Sequence, residues 1–254
     1  MRTNATKAKL KSGEPVFGCF LRYPNAGVVE VLGYHGWDFI VFDAEHGVIE
    51  PRDCEHMVRA AELRNVTPIV RVTTNSPPTI LRFLDTGAHG LHVPWVNSAA
   101  EAQQVVRSVK YQPVGARGLA AVRAADYAQT ISLSEYVKQA NAETLVVVQV
   151  ETAEAIEHLS EIVAVEGLDV IFIGPTDLSH SLGVPGNPKH PKVEAAMQRI
   201  AETVLASNIA LGIMVSDAQG ARAWSARGAR YITVSFESLL GPAARDYLET
   251  ARAG

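Results

Sequence analysis

Eight short apolar runs recur along the chain, and their spacing restricts the possible fold more than any other feature of the sequence. They are Val16–Phe20, Phe39–Phe42, Pro68–Val72, Gly90–Pro94, Leu145–Val150, Val170–Ile173, Leu211–Val215 and Tyr231–Val234. Each is nearly continuous in apolar residues rather than alternating. Strands buried on both faces read this way, as in a parallel sheet covered by helices. The stretches between them carry helical periodicity. In Ala99–Val109 apolar residues recur at helical spacing among Glu101, Gln103, Gln104 and Arg107, and Ser98 offers a cap before Glu101. Ala153–Val163 and Val193–Ala206 repeat the pattern. Eight strands alternating with helices over about 220 residues predict an α/β fold, a (β/α)₈ TIM barrel rather than a doubly wound sheet. No Gly-rich linker or shift in composition divides the 254 residues, so 1–254 reads as a single domain. Two stretches are irregular, Gln112–Tyr127 and the Gly- and Pro-rich Gly183–Pro191. Loops of this length in a compact barrel serve as lids or partner contacts.

Charge and cysteine content narrow the functional classes. A net charge of −4 disfavours a nucleic-acid or anionic-membrane partner, since either needs a basic face. The only cysteines, Cys19 and Cys54, lack metal-site spacing and are expected to be reduced, packed thiols. The N-terminal segment MRTNATKAKLKSGEP is basic, but no apolar stretch follows it that would make a signal peptide. No run approaches the roughly 20 apolar residues that cross a bilayer. The expectation is a soluble, cytoplasmic protein acting on small molecules.

In such a barrel catalytic groups stand at the C-terminal ends of the strands. The second run leads into Asp43-Ala44-Glu45-His46-Gly47, the third contains Arg71, the fifth runs through Gln149-Val150-Glu151, and the sixth into Gly174-Pro175-Thr176-Asp177. Two carboxylates from adjacent strands, Glu151 and Asp177, suit a hard divalent cation that keeps its other positions for water and substrate oxygens. A 2-keto acid could fill two of those positions, and the cation would act as a Lewis acid on its enolate. For Asp177 alone the competing reading is a helix N-cap; Glu is a poor cap, so the pair favours a metal. His46, in a strand-end loop just after Asp43 and Glu45, has the chemistry of a proton shuttle aimed by a carboxylate. The other seven histidines read as structural. A guanidinium inside the apolar run at Arg71 must meet an anion, either substrate oxygens or a structural carboxylate such as Glu45. No lysine falls in a strand, which argues against a Schiff-base mechanism and for carbonyl activation by a metal.

These residues resemble a known family. Asp43–Gly47, Pro68–Val72, Leu84–Ala88 with Val93-Pro94, Tyr111–Gly118, Gln149–Thr152 and Phe172–Ser179 stand in the order and spacing of the HpcH/HpaI aldolases, across roughly Gly13 to Leu240. The branch it looks most like holds the class II pyruvate aldolases that act on 4-hydroxy-2-oxoheptanedioate or 2-keto-3-deoxy sugar acids. The resemblance implies a metal-dependent carbon–carbon lyase that joins pyruvate or hydroxypyruvate to an aldehyde, or cleaves the 4-hydroxy-2-keto acid product. It implies His46 as proton acceptor, with Asp43 beside it in the same motif. It also implies Asp85 as the acid raising the basicity of His46, and Arg71 as the residue stabilising the transition state. Glu151 and Asp177 would hold Mg²⁺, Mn²⁺ or Co²⁺, with no organic cofactor. Gln149, Gly174, Pro175, Thr176 and Asp177 would contact the keto acid. A homohexamer, a trimer of dimers whose neighbouring subunits complete each site, is implied as well. Asp85 precedes a strand, so the strand-end rule places it on the opposite rim, reachable from His46 by an unusual loop path or from a neighbouring subunit.

The sequence departs from this pattern at Phe20, where many relatives have tryptophan, and at Arg22 and Tyr23, where they have small polar residues. Trp95 and Leu119–Tyr127 also look individual. The changes touch the aldehyde side of the site. The alternative activity is a related enolate-forming lyase, a CoA-thioester lyase or a 2-keto acid decarboxylase. A CoA lyase would call for a basic surface that the sequence lacks beyond its N-terminal tail.

Overall fold

The structure, a computed structural model, describes residues 2–253. The eight apolar runs form strands β1 (Val16–Leu21), β2 (Phe39–Asp43), β3 (Thr67–Arg71), β4 (Gly90–Val93), β5 (Leu145–Val150), β6 (Val170–Ile173), β7 (Ala210–Val215) and β8 (Tyr231–Ser235). All pair in parallel in sequence order, and β8 closes on β1 through pairs such as Val16 with Tyr231. This is the (β/α)₈ barrel that the sequence predicts. Its apolar side chains divide by alternation. One set, including Ile40, Phe42, Val70, Val148 and Ile171, meets the surrounding helices. The other, including Phe20, Phe39, Val147, Phe172 and Tyr231, fills the lumen.

The lumen carries unusually large rings, and glycine makes room for them. Phe39 and Tyr231 stack with centroids 4.3 Å apart. A Cβ at Gly18 would overlap the Phe39 ring. His92, one of the histidines read as structural, is fully buried edge-on to Phe20 and Phe172. The aromatic plug closes the barrel beneath the polar rim.

Helix Ala99–Val109 has the expected bounds, and Ser98 accepts from the Glu101 amide. Other helices differ. The stretch 153–163 is two helices, Ala153–Glu157 and Leu159–Val163, broken at His158. Its buried Ala155, Ile156, Leu159 and Ile162 keep one helical stripe across the break, so periodicity alone does not reveal it. The helix expected from Val193 starts at Pro191, whose fixed φ and missing N–H suit the first helical turn. An additional helix, Ala5–Lys11, buries Leu10 and sends Lys7 to Asp169 (2.9 Å) and the Thr144 carbonyl (3.0 Å). Polar anchoring holds it, so hydrophobic patterning leaves it silent.

Both cysteines are free and buried, and burial pushes each thiol up to about 12. Among the described residues no helix is long and apolar enough to cross a membrane.

Candidate active site

The polar rim starts from strand register. Asp43 and Arg71 are direct cross-strand partners at the ends of β2 and β3. Arg71 donates from Nε to Asp43 Oδ1 (2.9 Å) and from Nη2 to Asp43 Oδ2 (2.7 Å). Its Nη1 reaches Gln149 Oε1 (3.3 Å) and lies 3.1 Å from Glu45 Oε2. The anion that the buried guanidinium needs is therefore already in the fold. Its main supplier is Asp43, with Glu45, the carboxylate expected from sequence, in second place. Burial works against the Asp43 charge, but the hydrogen bonds and charge of Arg71 prevail and hold its carboxyl below the usual value. Asp43 Oδ1 also accepts from the amides of Glu45 (3.2 Å) and His46 (3.3 Å). The turn that carries His46 is thereby tied to the strand end.

His46 stands half-exposed at the rim, its Nε2 3.9 Å from Glu45 Oε2. Burial raises the Glu45 carboxyl, a trend that Arg71 and His46 oppose and that Asp43 and Asp177 reinforce. A carboxylate and an imidazole side by side form a pair able to hold and pass a proton.

Glu151 follows β5 and is 1% exposed. Its Oε1 accepts from the Trp95 amide (2.9 Å), and its Oε2 accepts from the Gln149 amide nitrogen. Burial raises its carboxyl to about 7, and the like charges of Asp177 and Glu45 add to the shift. Gly174, just past the end of β6, leaves the needed space, since a Cβ there would overlap Glu151 Oε2. Asp177 is the third residue of helix Pro175–Ser181, whose N-cap is Gly174. The competing N-cap reading of Asp177 thus fails on position.

Asp177, Thr176, Pro175, Gly174, Gln149, Arg71 and His46 all line one cavity of about 1110 Å³ at the strand C-termini. Pro188, Lys189 and Pro191, from the irregular stretch 183–191, wall its far side. Asp85 is not brought there. It ends helix Pro77–Asp85, which runs back from the β3 rim to the start of β4, and it pairs with Arg117 (2.7 Å). In one chain it lies at the opposite end of the barrel from His46.

Among the described residues no strand contains a lysine. Lys110, lowered to about 7 by burial, donates to the carbonyls of Asn141 and Thr144 just before β5. An amine of that kind could form a Schiff base only where substrate reaches it, and this one sits below the barrel floor.

Two residues gain importance from the structure. Glu45 links Arg71, His46 and, through its other oxygen, the Trp95 indole (3.2 Å). Trp95 follows the end of β4 and also donates its amide to Glu151. The strand-end rule covers this position, but a tryptophan there gives no sign of a donor to two carboxylates.

The architecture has close counterparts. A family model, HpcH/HpaI aldolase/citrate lyase, matches residues 16–241. The chain belongs to that family. It is 36% identical over 239 residues to a 4-hydroxy-2-oxo-heptane-1,7-dioate aldolase of Escherichia coli, covering 93% of this chain and 90% of the relative. It is also 36% identical over 238 residues to a hydroxypyruvate/pyruvate aldolase of Sagittula stellata, covering 93% of each. A crystal structure of a family protein from Burkholderia cenocepacia superposes with a TM-score of 0.93 at 35% identity, covering 98% of this chain and 100% of that one. Membership makes the chain an aldolase-type carbon–carbon lyase on a TIM barrel.

Proposed function

We propose that the chain is a class II aldolase that uses a divalent metal ion to join pyruvate or hydroxypyruvate to an aldehyde, and to cleave the resulting 4-hydroxy-2-keto acid. The observation that carries this reading is Asp177, which lines one cavity with Gln149, His46 and Arg71, together with the buried Glu151 carboxylate held against Gln149 behind that lining. The residues fit a cation. Glu151 is buried with its charge opposed by two further carboxylates, a conflict that a divalent ion between Glu151 and Asp177 would relieve. When bound, Mg²⁺, Mn²⁺ or Co²⁺ would supply Lewis-acid polarisation of the keto group.

The chain's own groups do the rest. In the cleavage direction His46 Nε2 removes the proton from the C4 hydroxyl. The C4–O bond becomes a carbonyl, the C3–C4 bond breaks, and its electron pair passes toward the C2 oxygen to leave a pyruvate enolate. Arg71 carries permanent charge beside the developing negative charge, and the fork of Asp43 fixes its direction. Gln149, held between Arg71 and Glu151, and the backbone of Gly174–Asp177 position the keto acid. The proton then returns from His46 to C3 of the enolate.

Asp85 would influence His46 only from a neighbouring subunit, which ties its role to a homohexamer. Support for association comes from the last helix, Phe236–Arg252, which buries none of its residues and exposes Leu240 and Tyr247. An apolar groove of about 630 Å³, lined by Phe17, Trp37, Ala221, Ile232 and Val234, stays open on the flank where β8 meets β1. A second copy of the chain would cover both.

The test is release of pyruvate from a 4-hydroxy-2-keto acid, with and without EDTA. Activity is expected to vanish in chelator and to return with Mg²⁺, Mn²⁺ or Co²⁺; full activity in chelator would sink the metal mechanism. An acetyl-CoA lyase assay in parallel addresses the alternative activity.

A further inference from the structure

The geometry points to Trp95 as a positioning residue that sets Glu45 against His46 while its backbone fixes Glu151, an inference that rests on the aldolase reading of this site. Trp95 has φ +55°, a left-handed conformation that large side chains seldom adopt. Such outliers persist where the surroundings over-determine them and often mark functional positions. Here the surroundings are two acids. The turn places the Trp95 amide 2.9 Å from Glu151 Oε1 and its indole Nε1 3.2 Å from Glu45 Oε1. One residue therefore spans the carboxylate of the candidate metal pair and the carboxylate beside the candidate base.

The indole arm is the informative one. Glu45 has 11% of its side chain exposed, and its two oxygens face different duties. Oε1 takes the indole hydrogen bond. Oε2 lies 3.1 Å from Arg71 Nη1 and 3.9 Å from His46 Nε2, yet makes no hydrogen bond to either. A buried carboxylate oxygen left without a donor is costly, so something must hold it there. With Oε1 pinned by Trp95, Oε2 is kept toward the imidazole. Without the indole, Glu45 is free to turn both oxygens onto Arg71 and leave His46 unaccompanied. Trp95 touches no reacting atom in this account; it acts through Glu45.

Trp95→Phe removes the indole N–H and keeps both the ring's bulk and the backbone N–H to Glu151. Trp95 is 44% exposed, so the variant is expected to fold, with a melting point close to that of the parent. The expected result is a fall in kcat of about 10- to 100-fold, the scale of one lost hydrogen bond to a charged group. KM for the keto acid and the Kd for Mn²⁺ should stay within about twofold, because the Glu151 arm survives. Trp95→Phe combined with Glu45→Gln should be no slower than the worse single variant. Unchanged kcat, or losses that multiply, would overturn the proposal.

A second measurement does not use turnover. The chain has three tryptophans, so labelling with 5-fluorotryptophan gives three ¹⁹F resonances, with Trp95 assigned by its loss in Trp95→Phe. Glu45→Gln is expected to shift the Trp95 resonance and leave those of Trp37 and Trp224 in place; an unmoved Trp95 signal would refute the clamp. If the parent protein shows no aldolase activity, the functional reading fails and the ¹⁹F shift alone decides the role of Trp95.

Discussion

Replacing Arg71 with methionine keeps the length of the side chain and removes its charge, and the structure allows the consequence to be sized. Asp43 has no exposed surface and Arg71 is 6% exposed, so neither can turn to bulk water for compensation. The guanidinium gives Asp43 two hydrogen bonds in a parallel fork, at 2.9 and 2.7 Å. Breaking a buried pair by removing one partner costs about 3–5 kcal/mol, because the remaining charge is left uncompensated. At ~2–4 °C per kcal/mol for a chain of this size, the thermal midpoint should fall by about 6–20 °C. Asp43→Asn alone should cost less, since it removes a charge rather than stranding one, and in the double variant much of the Arg71→Met penalty should disappear. The pH dependence separates this account from simple loss of packing. In the parent the Asp43 carboxyl is held below its ordinary value, so the pair contributes its stability above about pH 4 and loses it as pH falls through the folded-state value. In Arg71→Met burial, the largest influence on Asp43, is opposed only by the His46 amide and charge and by Arg22 at 3.5 Å. The carboxyl is therefore expected to rise, folding takes up a proton and the destabilisation should shrink from pH 7 toward pH 5. The assay is thermal unfolding of the four proteins at one fixed concentration, since association shifts the midpoint. Single-variant losses that add to within about 0.5 kcal/mol, with no pH trend in Arg71→Met, would refute the pairing argument.

Gly174→Ala places a methyl group where it would overlap Glu151 Oε2, so Mn²⁺ affinity measured by calorimetry should fall at least about tenfold with the barrel's circular dichroism unchanged. His89 is buried, and desolvation lowers it to about 4 from an ordinary 6.5. Folding therefore excludes a proton between those values: the contribution is complete above pH 6.5 and is lost as pH falls toward 4, about 3 kcal/mol in all. His89→Gln should flatten the stability profile over that window, as read by denaturant unfolding at several pH values. Light scattering should give a mass of several chains for the parent, and Leu240→Glu with Tyr247→Glu on the uncovered last helix should reduce it.

How much of this was legible depended on which force set each feature. The strands follow from hydrophobicity alone: a run such as Leu145–Val150 is apolar on both faces because one face fills the lumen and the other meets helices. Helix Ala5–Lys11 answers to polar contacts instead, with Lys7 on Asp169, and no period in the sequence announces those. The rim residues were legible as a set, because strand ends converge in any closed parallel barrel. Their pairings were not. That Arg71 would take Asp43 as its main partner depends on the β2–β3 register, which sets those two side by side and Glu45 two residues beyond.

Asp85 shows the limit of reading a site from one chain. The strand-end rule puts it on the far rim, and the structure puts it there too, paired with Arg117. Its resemblance to an acid that tunes the base then conflicts with its distance from His46 along the barrel axis, and one physical arrangement reconciles them. The far rim of one subunit would have to meet the near rim of another. The chain carries the unburied apolar surface that such contact needs, in the last helix and in the groove between β8 and β1. If the protein associates but Asp85→Asn leaves the pH profile of turnover unchanged, the neighbouring-subunit role falls, and Asp85 is simply the ion-pair partner of the buried Arg117. If the profile moves and the unassembled Leu240→Glu, Tyr247→Glu variant shows the same displaced profile, the influence passes between subunits, since a contact within one chain would survive dissociation.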